Sequence, residues 1–273
     1  MKLGFITDTH INAEGAPIWA GVDSLAHLNR VIDHLNGLEL DAVVFGGDLA
    51  DAADLADDAH AHAMYRAAMP AFERIAAPLL PIPGNHDRHD LFLSYLDKYR
   101  SGDHGPDLSY VRELNGWRLI MLDTVEPGQI EGSITDFSVE WLAELVQANP
   151  DQPTLVFAHQ PPFSCHDDPA LDMWFDNAEP LEEALSGCTG LKGIFSGHYH
   201  RLIDWQWRGV PYHVAPSTAA QFPHPAWGEE RNLPKYNVPG FRSSIWAQKT
   251  LALKRSGSAP IRLPRQQQPR YSA

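Results

Sequence analysis

Six short runs, nearly all apolar and each ended by a turn or polar residue, constrain the fold most: Lys2–Thr7, Ala42–Phe45, Leu79–Pro83, Trp117–Leu122, Thr154–Ala158 and Leu191–Phe195. A strand with one wet face alternates apolar with polar, so unbroken runs of this length predict strands covered on both faces. Between them lie stretches with helical spacing. Asp23 is a good N-cap for a helix carrying Leu25, Leu28, Val31, Ile32 and Leu35. Asp54 to about Ala67 reads as an Ala-rich helix, and Pro70 can open a further turn. Asp136 to about Gln147 puts Phe137, Trp141, Leu142 and Leu145 on one side, and Glu179–Leu185 makes a shorter helix. Strands alternating with helices predict a layered α/β fold. After His200 the pattern changes to two strands, Leu202–Trp207 and Tyr212–Ala215, joined by the turn Arg208-Gly209-Val210-Pro211, with Phe241–Ala247 as a further strand.

Composition narrows the class. Of 273 residues, 44% are hydrophobic and 21% charged, which excludes disorder, collagen and coiled coil for the chain as a whole. No repeat and no linker interrupts residues 1–250, which read as one domain with an insert of unusual Trp, Pro and Arg content at 223–240. The net charge of −14 argues against binding a nucleic-acid duplex, which is driven by phosphate neutralisation. That charge is unevenly spread. All 35 acidic residues lie at or before Glu230, whereas residues 231–273 hold nine Lys and Arg and no acid. Residues 251–273 form a basic tail, rich in Pro and Gln towards its end. It reads as a strap on its own acidic body or on a neighbouring subunit of a homo-oligomer, with an arm for an anionic partner as the alternative. Cys165 and Cys188 are too few for a disulfide framework. No apolar run is long enough to span a membrane, and Met1–Asp8 meets an acid too early for a signal peptide, so a cytoplasmic protein without a membrane partner is expected.

Fourteen histidines remain to be explained, and many stand at strand ends. The first strand ends in Asp8-Thr9-His10, the second in Gly46-Gly47-Asp48-Leu49-Ala50-Asp51 and the third in Pro83-Gly84-Asn85-His86-Asp87. A later one ends in Ala158-His159, and the next in Gly197-His198-Tyr199-His200. In open α/β sheets the crevice beyond the carboxyl ends of the strands binds ligands. Five such ends would converge Asp8, His10, Asp48, Asn85, His159, His198 and His200 on one place. Imidazole nitrogens with carboxylate oxygens suit borderline transition ions. Residues two apart in extended chain point the same way, so Asp8 with His10, and His198 with His200, can each reach one site.

These blocks, Asp8-x-His10, Gly47-Asp48, Gly84-Asn85-His86-Asp87, His159 and Gly197-His198-x-His200, resemble those of the binuclear, calcineurin-like metallophosphoesterases. Spacing and length resemble the class III cyclic-nucleotide phosphodiesterase and glycerophosphodiesterase branch, over residues 1–220 and including Ser217-Thr218-Ala219-Ala220-Gln221-Phe222. The resemblance implies a four-layer α/β/β/α sandwich and two divalent transition ions, of Mn, Fe, Zn or Co type. It implies one ion held by Asp8, His10, Asp48 and His200, and the other by Asp48, Asn85, His159 and His198, with Asp48 bridging. His86 would be catalytic and not a ligand. Two departures stand out: His159-Gln160-Pro161-Pro162 has Gln where the branch often has a second His, and the 223–240 insert is unusual.

Two ions roughly 3.5–4 Å apart can generate hydroxide at neutral pH and clamp an in-line displacement. His86 then stabilises or protonates the departing oxygen. Asp51, three residues after Asp48, either orients His86, caps the loop or contacts substrate. His60, His62 and His89 read as solvated. His213 is either a substrate neighbour or a strand residue in packing. Met173, Trp174 and Phe175 follow the His159 strand end and form either packing or a wall for an organic group. Trp205 and Trp207 read as packing or a subunit contact. The reading is a metal-dependent phosphodiesterase acting on small organic phosphodiesters. A phosphomonoesterase with the same metals and a non-catalytic scaffold on the same fold are the alternatives; a nuclease is disfavoured by the acidic body.

Overall fold

The computed structural model describes residues 1–18, 21–53, 55–163, 175–221, 242–247 and 250–254, the last two stretches by backbone alone. Its strands form two sheets. The first has the order β12-β11-β1-β2-β3, from Thr250–Lys254, Arg242–Ala247, Lys2–Ile6, Ala42–Phe45 and Leu79–Pro81. The second has the order β4-β5-β6-β7-β8-β10-β9, from Asp103–His104, Tyr110–Leu114, Trp117–Leu122, Thr154–Ala158, Leu191–Ser196, Val210–Val214 and Ile203–Trp207. The helices are α1 Ser24–Asn36, α2 Asp58–Phe72, α3 His89–Leu96, α4 Asp136–Ala148 and α5 Ala178–Ser186.

The side-chain period of two in each strand builds the layers. In β1 and β2, Leu3, Phe5, Ala42 and Val44 turn towards the second sheet, where they meet Leu119, Met121, Leu155, Phe157 and Phe195. Their alternates Ile6, Val43 and Phe45 turn outward onto Leu28, Ile32 and Tyr65 of α1 and α2. In the second sheet Ile120, Leu122, Val156 and Ile194 face outward onto Leu142, Val146, Leu181 and Leu185 of α4 and α5. Three apolar layers between four layers of structure make an α/β/β/α sandwich. Both faces of the central strands are dry, which is why their sequences run apolar without alternation.

Strands β1, β2 and β3 are parallel, as are β6, β7 and β8, and β8 with β10. Their carboxyl ends therefore point the same way within each sheet. Three expectations change. The helix begins not at Asp54 but at Asp58, where the Asp57 carboxylate accepts from the N–H groups of Ala59 and His60. It runs through Pro70, which sits in its last turn instead of opening a new one. The β9–β10 connection is a two-residue turn, Arg208 and Gly209, with φ of 48° and 82°. Positive φ at both positions is the hairpin turn that matches strand twist, so β10 starts at Val210. Strands β4, β5 and β12 and helix α3 are additions, and β12 carries the first sheet to Lys254. Residues 222–241 and 255–273, which hold the 223–240 insert and most of the basic tail, lie outside the described residues. Among the described residues no helix is long and apolar enough to cross a membrane.

Candidate metal centre

Each block does leave a strand end. The backbone there is unusual: Asp8, His10, Asp48, His198 and His200 have φ of 55°, 43°, 56°, 68° and 49°. A left-handed conformation costs a non-glycine residue on the order of 1 kcal/mol or more. Hydrogen bonds between blocks hold it. Asp8 N–H donates to Gly47 O at 2.9 Å, and Thr9 and His10 N–H to Asp48 O at 2.8 and 3.1 Å. His198 N–H donates to the Asp8 carboxylate at 3.1 Å, and His86 N–H to Asp48 Oδ1 at 2.9 Å. Glycine makes the close approaches possible. A Cβ on Gly84 would strike the Asp48 carboxylate, and one on Gly197 would strike Thr7 and Asp8.

The result is two buried donor sets that share Asp48: Asp8, His10, Asp48 and His200 in one, and Asp48, His159 and His198 in the other. Asp48 Oδ2 lies 3.2 Å from His159 Nε2 and 3.7 Å from His10 Nε2. Asn85 Oδ1 joins the second set, 3.2 Å from His159 Nε2 and 2.9 Å from His198 Nδ1. All seven residues expected from the strand ends are thus brought together.

The far side of each imidazole sets what faces inward. His159 Nδ1–H donates to Gly46 O at 2.6 Å and His200 Nδ1–H to Ala220 O at 2.8 Å. Carbonyls only accept, so Nδ1 carries the proton and Nε2 is left to the centre. His10 Nδ1 is held by Asp51 Oδ1 at 2.6 Å. Consequently the Nε2 atoms of His10 and His200 face one another at 3.0 Å. Two imidazole lone pairs at that distance repel unless a cation lies between them. A proton can serve, and so can a metal ion, for which a cluster of neutral imidazole nitrogens and carboxylate oxygens is a fitting donor set.

Charges follow the same geometry. Burial alone would lower the His10 pKa, but the hydrogen bond and charge of Asp51, with Asp48 and Asp8 behind it, raise it to about 9. Burial likewise opposes the charged form of His159, and the carboxylate of Asp48 raises it to about 9. Burial works against ionised Asp8, Asp48 and Asp51 too, yet His200, His159 and His10 respectively hold all three below the usual carboxylate range.

Asp51 also stands 3.3 Å from His86 Nδ1, and the His86 ring packs edge-on to His10 at 5.2 Å. His86 is the open member of the group, with 45% of its side chain exposed. It lies outside both shared donor sets.

Other expected residues fall elsewhere. His213 is buried against Phe195, with Nδ1 2.8 Å from Asp204 Oδ1. Phe175 is 7% exposed and packs in the outer core against Gly132, so its ring is packing and not an open wall. Trp174 lies outside the described residues. His62 and His89 are half-buried and partnered instead of freely solvated: His62 Nδ1 meets Tyr95 Oη at 2.9 Å and His89 lies 3.5 Å from Asp123. Trp207 stacks on Phe163, while Trp205 is exposed on the edge strand. Gln160, where the branch often has His, accepts from Thr124 Oγ1 at 2.7 Å and so ties β7 to the end of β6.

Two supports were not foreseen. The Asp87 carboxylate, pushed up to about 6 by burial and by Asp48, accepts from the N–H groups of Asp48, Leu49 and Gly84 and from the Tyr65 hydroxyl. Ser217 Oγ donates to Asp8 O at 2.7 Å and accepts from Ala219 and Ala220 N–H, shaping the turn whose Ala220 carbonyl orients His200. The sequence marks both residues, Asp87 beside His86 and Ser217 in the segment after the last histidine pair, but carries no sign of which backbone groups they hold.

Comparison with known proteins agrees with this geometry. Residues 1–202 match the family model described as calcineurin-like phosphoesterase. The chain is 30% identical to a glycerophosphodiester phosphodiesterase of Enterobacter lignolyticus over 228 residues, covering 82% of this chain and 80% of that protein. It is 30% identical to a 3′,5′-cyclic adenosine monophosphate phosphodiesterase of Escherichia coli over 227 residues, covering 80% and 77%. A dimetal phosphatase from Danio rerio superposes with a TM-score of 0.73 over 93% of this chain and 95% of that one; at 14% identity it shows the fold alone. Family and donor chemistry together make the cluster a site for a pair of divalent metal ions. The chain is an enzyme of the calcineurin-like phosphoesterase family, in its class III cyclic-nucleotide phosphodiesterase and glycerophosphodiesterase branch.

Proposed function

We propose that this enzyme hydrolyses small organic phosphodiesters, with cyclic nucleotides and glycerophosphodiesters as the leading substrates. The observation that carries the reading is Asp48, whose one carboxylate lies between two buried donor sets. Asp8, His10, Asp48 and His200 would hold one ion, and Asp48, Asn85, His159 and His198 the other, both of the Mn, Fe, Zn or Co type. When bound, such a pair supplies positive charge to phosphoryl oxygens and lowers the pKa of water.

The chain's own residues do the rest. Gly46 O, Ala220 O and Asp51 hold three imidazoles with Nε2 inward. Asp51 also faces His86 Nδ1, which leaves His86 Nε2 as the atom that carries a proton to the departing oxygen. The cavity beside His10 and Asp51 is lined, among the described residues, by no Lys or Arg. A dianionic monoester calls for extra cationic donors, and a monoanionic diester needs fewer. We place the enzyme in the cytoplasm, acting on small molecules and not on duplexes or membranes, with residues 1–250 as the catalytic domain and 251–273 as a strap on the acidic body or on a second copy.

The test is a rate comparison on metal-loaded protein, with a diester and a monoester of the same alcohol. The diester is expected to be hydrolysed faster, by protein holding two ions per chain in elemental analysis. A tenfold preference for the monoester, or one ion at saturation, would overturn the reading.

A further inference from the structure

The two imidazoles that face one another in the first donor set come from different sheets. His10 follows β1 of the first sheet, and His200 follows β8 of the second. From the contacts of α1 we infer that Ser24 and His27, on the first turn of that helix, are positioning residues that set this pair and so tune the affinity of one ion and not of the other. The inference rests on the division of ligands proposed above, and adds which residues outside the donor sets govern one of them.

Two hydrogen bonds are the first argument. The buried Ser24 hydroxyl donates to His10 O at 3.0 Å. His10 N–H donates to Asp48 O at 3.1 Å, so both backbone polar groups of this left-handed residue are held. His27 Nδ1 lies 3.1 Å from Ala219 O; a carbonyl only accepts, so Nδ1 carries the proton and donates it. The next carbonyl along, Ala220 O, is the one that receives His200 Nδ1–H. Residues three apart on a helix share a face. One helical turn therefore grips His10 through its own carbonyl, and His200 through the turn that orients its ring.

Rigidity is the second. A bracket transmits position only if it is itself fixed. Asp23 Oδ1 caps this turn by accepting from Ala26 N–H at 2.8 Å. Further along α1, Leu28, Val31, Ile32 and Leu35 are buried in the outer core of the first sheet. The helix is thus anchored to the first sheet, while His27 reaches the turn at Ser217–Ala220, which follows β10 of the second.

Asymmetry is the third. In the second donor set His159 is oriented by Gly46 O, and His198 Nδ1 meets Asn85 Oδ1. Helix α1 takes no part in either contact. Loosening its first turn frees the His10–His200 pair and leaves His159, His198 and Asn85 where they are.

The experiment measures Zn²⁺ affinity of the full chain by competition with a chromophoric chelator, in two parents that each keep one donor set whole. Asn85→Ala keeps Asp8, His10, Asp48 and His200, and His200→Ala keeps Asp48, Asn85, His159 and His198. In the first parent Ser24→Ala and His27→Ala are each expected to weaken the first Zn²⁺ bound by at least about tenfold, within the roughly 10–100-fold typical of groups that orient metal ligands. In the second parent neither should change it beyond about twofold, because the groups that orient that set are untouched. Ser24→Thr and His27→Asn, which return a donor to each place, should recover most of the loss, which a general loosening of the helix would not permit. Alanine is the best helix former, so His27→Ala keeps α1. An affinity unmoved by both alanine variants in the first parent, or weakened equally in the two parents, overturns this inference and leaves the two-ion reading standing. A wild-type chain that takes up a single Zn²⁺ at saturation removes that reading, and this inference with it.

Discussion

Metal loading must displace protons, because two imidazoles that face the centre are charged in the metal-free protein at neutral pH. His10 and His159 are each raised to about 9 by the carboxylates around them. At pH 7 each lies about two pH units below its pKa and is almost fully protonated. A metal ion that needs the neutral nitrogen competes against that proton at a disadvantage of roughly 100-fold per imidazole, or about 3 kcal/mol. Filling the pair should therefore release about two protons per chain from these imidazoles at pH 7, besides any given up by a metal-bound water, and the combined apparent affinity should rise by at least about two powers of ten per pH unit between 6.5 and 8.5. Asp51→Asn isolates one contribution. It removes the charge 2.6 Å from His10 Nδ1, so His10 titrates lower and release should fall by about one proton. Calorimetric metal titrations in buffers of different ionisation enthalpy count these protons directly. Release of well under one proton per pair by the wild type, or an unchanged count in Asp51→Asn, would refute the electrostatic account of the centre.

The same shifts set the stability of the metal-free chain. A histidine raised in the folded state stabilises it fully below the unfolded pKa of about 6.5, and that stabilisation is lost as pH climbs towards 9. Depressed Asp8, Asp48 and Asp51 contribute above about 4 and lose their contribution on acidification. Thermal unfolding after chelation should thus show a Tm that falls from pH 6.5 to 9, and metal should reverse that trend; a metal-free Tm that rises over this range contradicts the assignment. His86→Ala should keep both ions, lose little on a nitrophenyl diester and lose roughly 10²–10⁴ in kcat on alkyl or cyclic diesters, whose alkoxide needs the proton. Equal losses on both substrates would make His86 an electrostatic stabiliser and not a proton donor.

Much was legible in the chain itself. Apolar runs such as Ala42–Phe45 and Thr154–Ala158 are strands with the predicted bounds, because a strand covered on both faces has no polar position to blur its ends. The seven donors were legible for a related reason. Each stands where an apolar run meets a turn, and parallel strands bring all such ends to one side. Asp23 announced α1 because an N-cap acts within three residues. Local chemistry of this kind is written locally.

The failures are long-range. Whether Phe175 lines a crevice or a core depends on Gly132, 43 residues earlier, and its ring lies in the core. His62 and His89 were read as solvated, and each found a partner on another element, in Tyr95 and Asp123. Ser217 stands 209 residues from the carbonyl it binds. Identity and spacing along the chain decide which residues can be donors. Which nitrogen faces inward and which carboxylate raises it depend on groups brought together only when the two sheets close, and a linear sequence carries no distance between them.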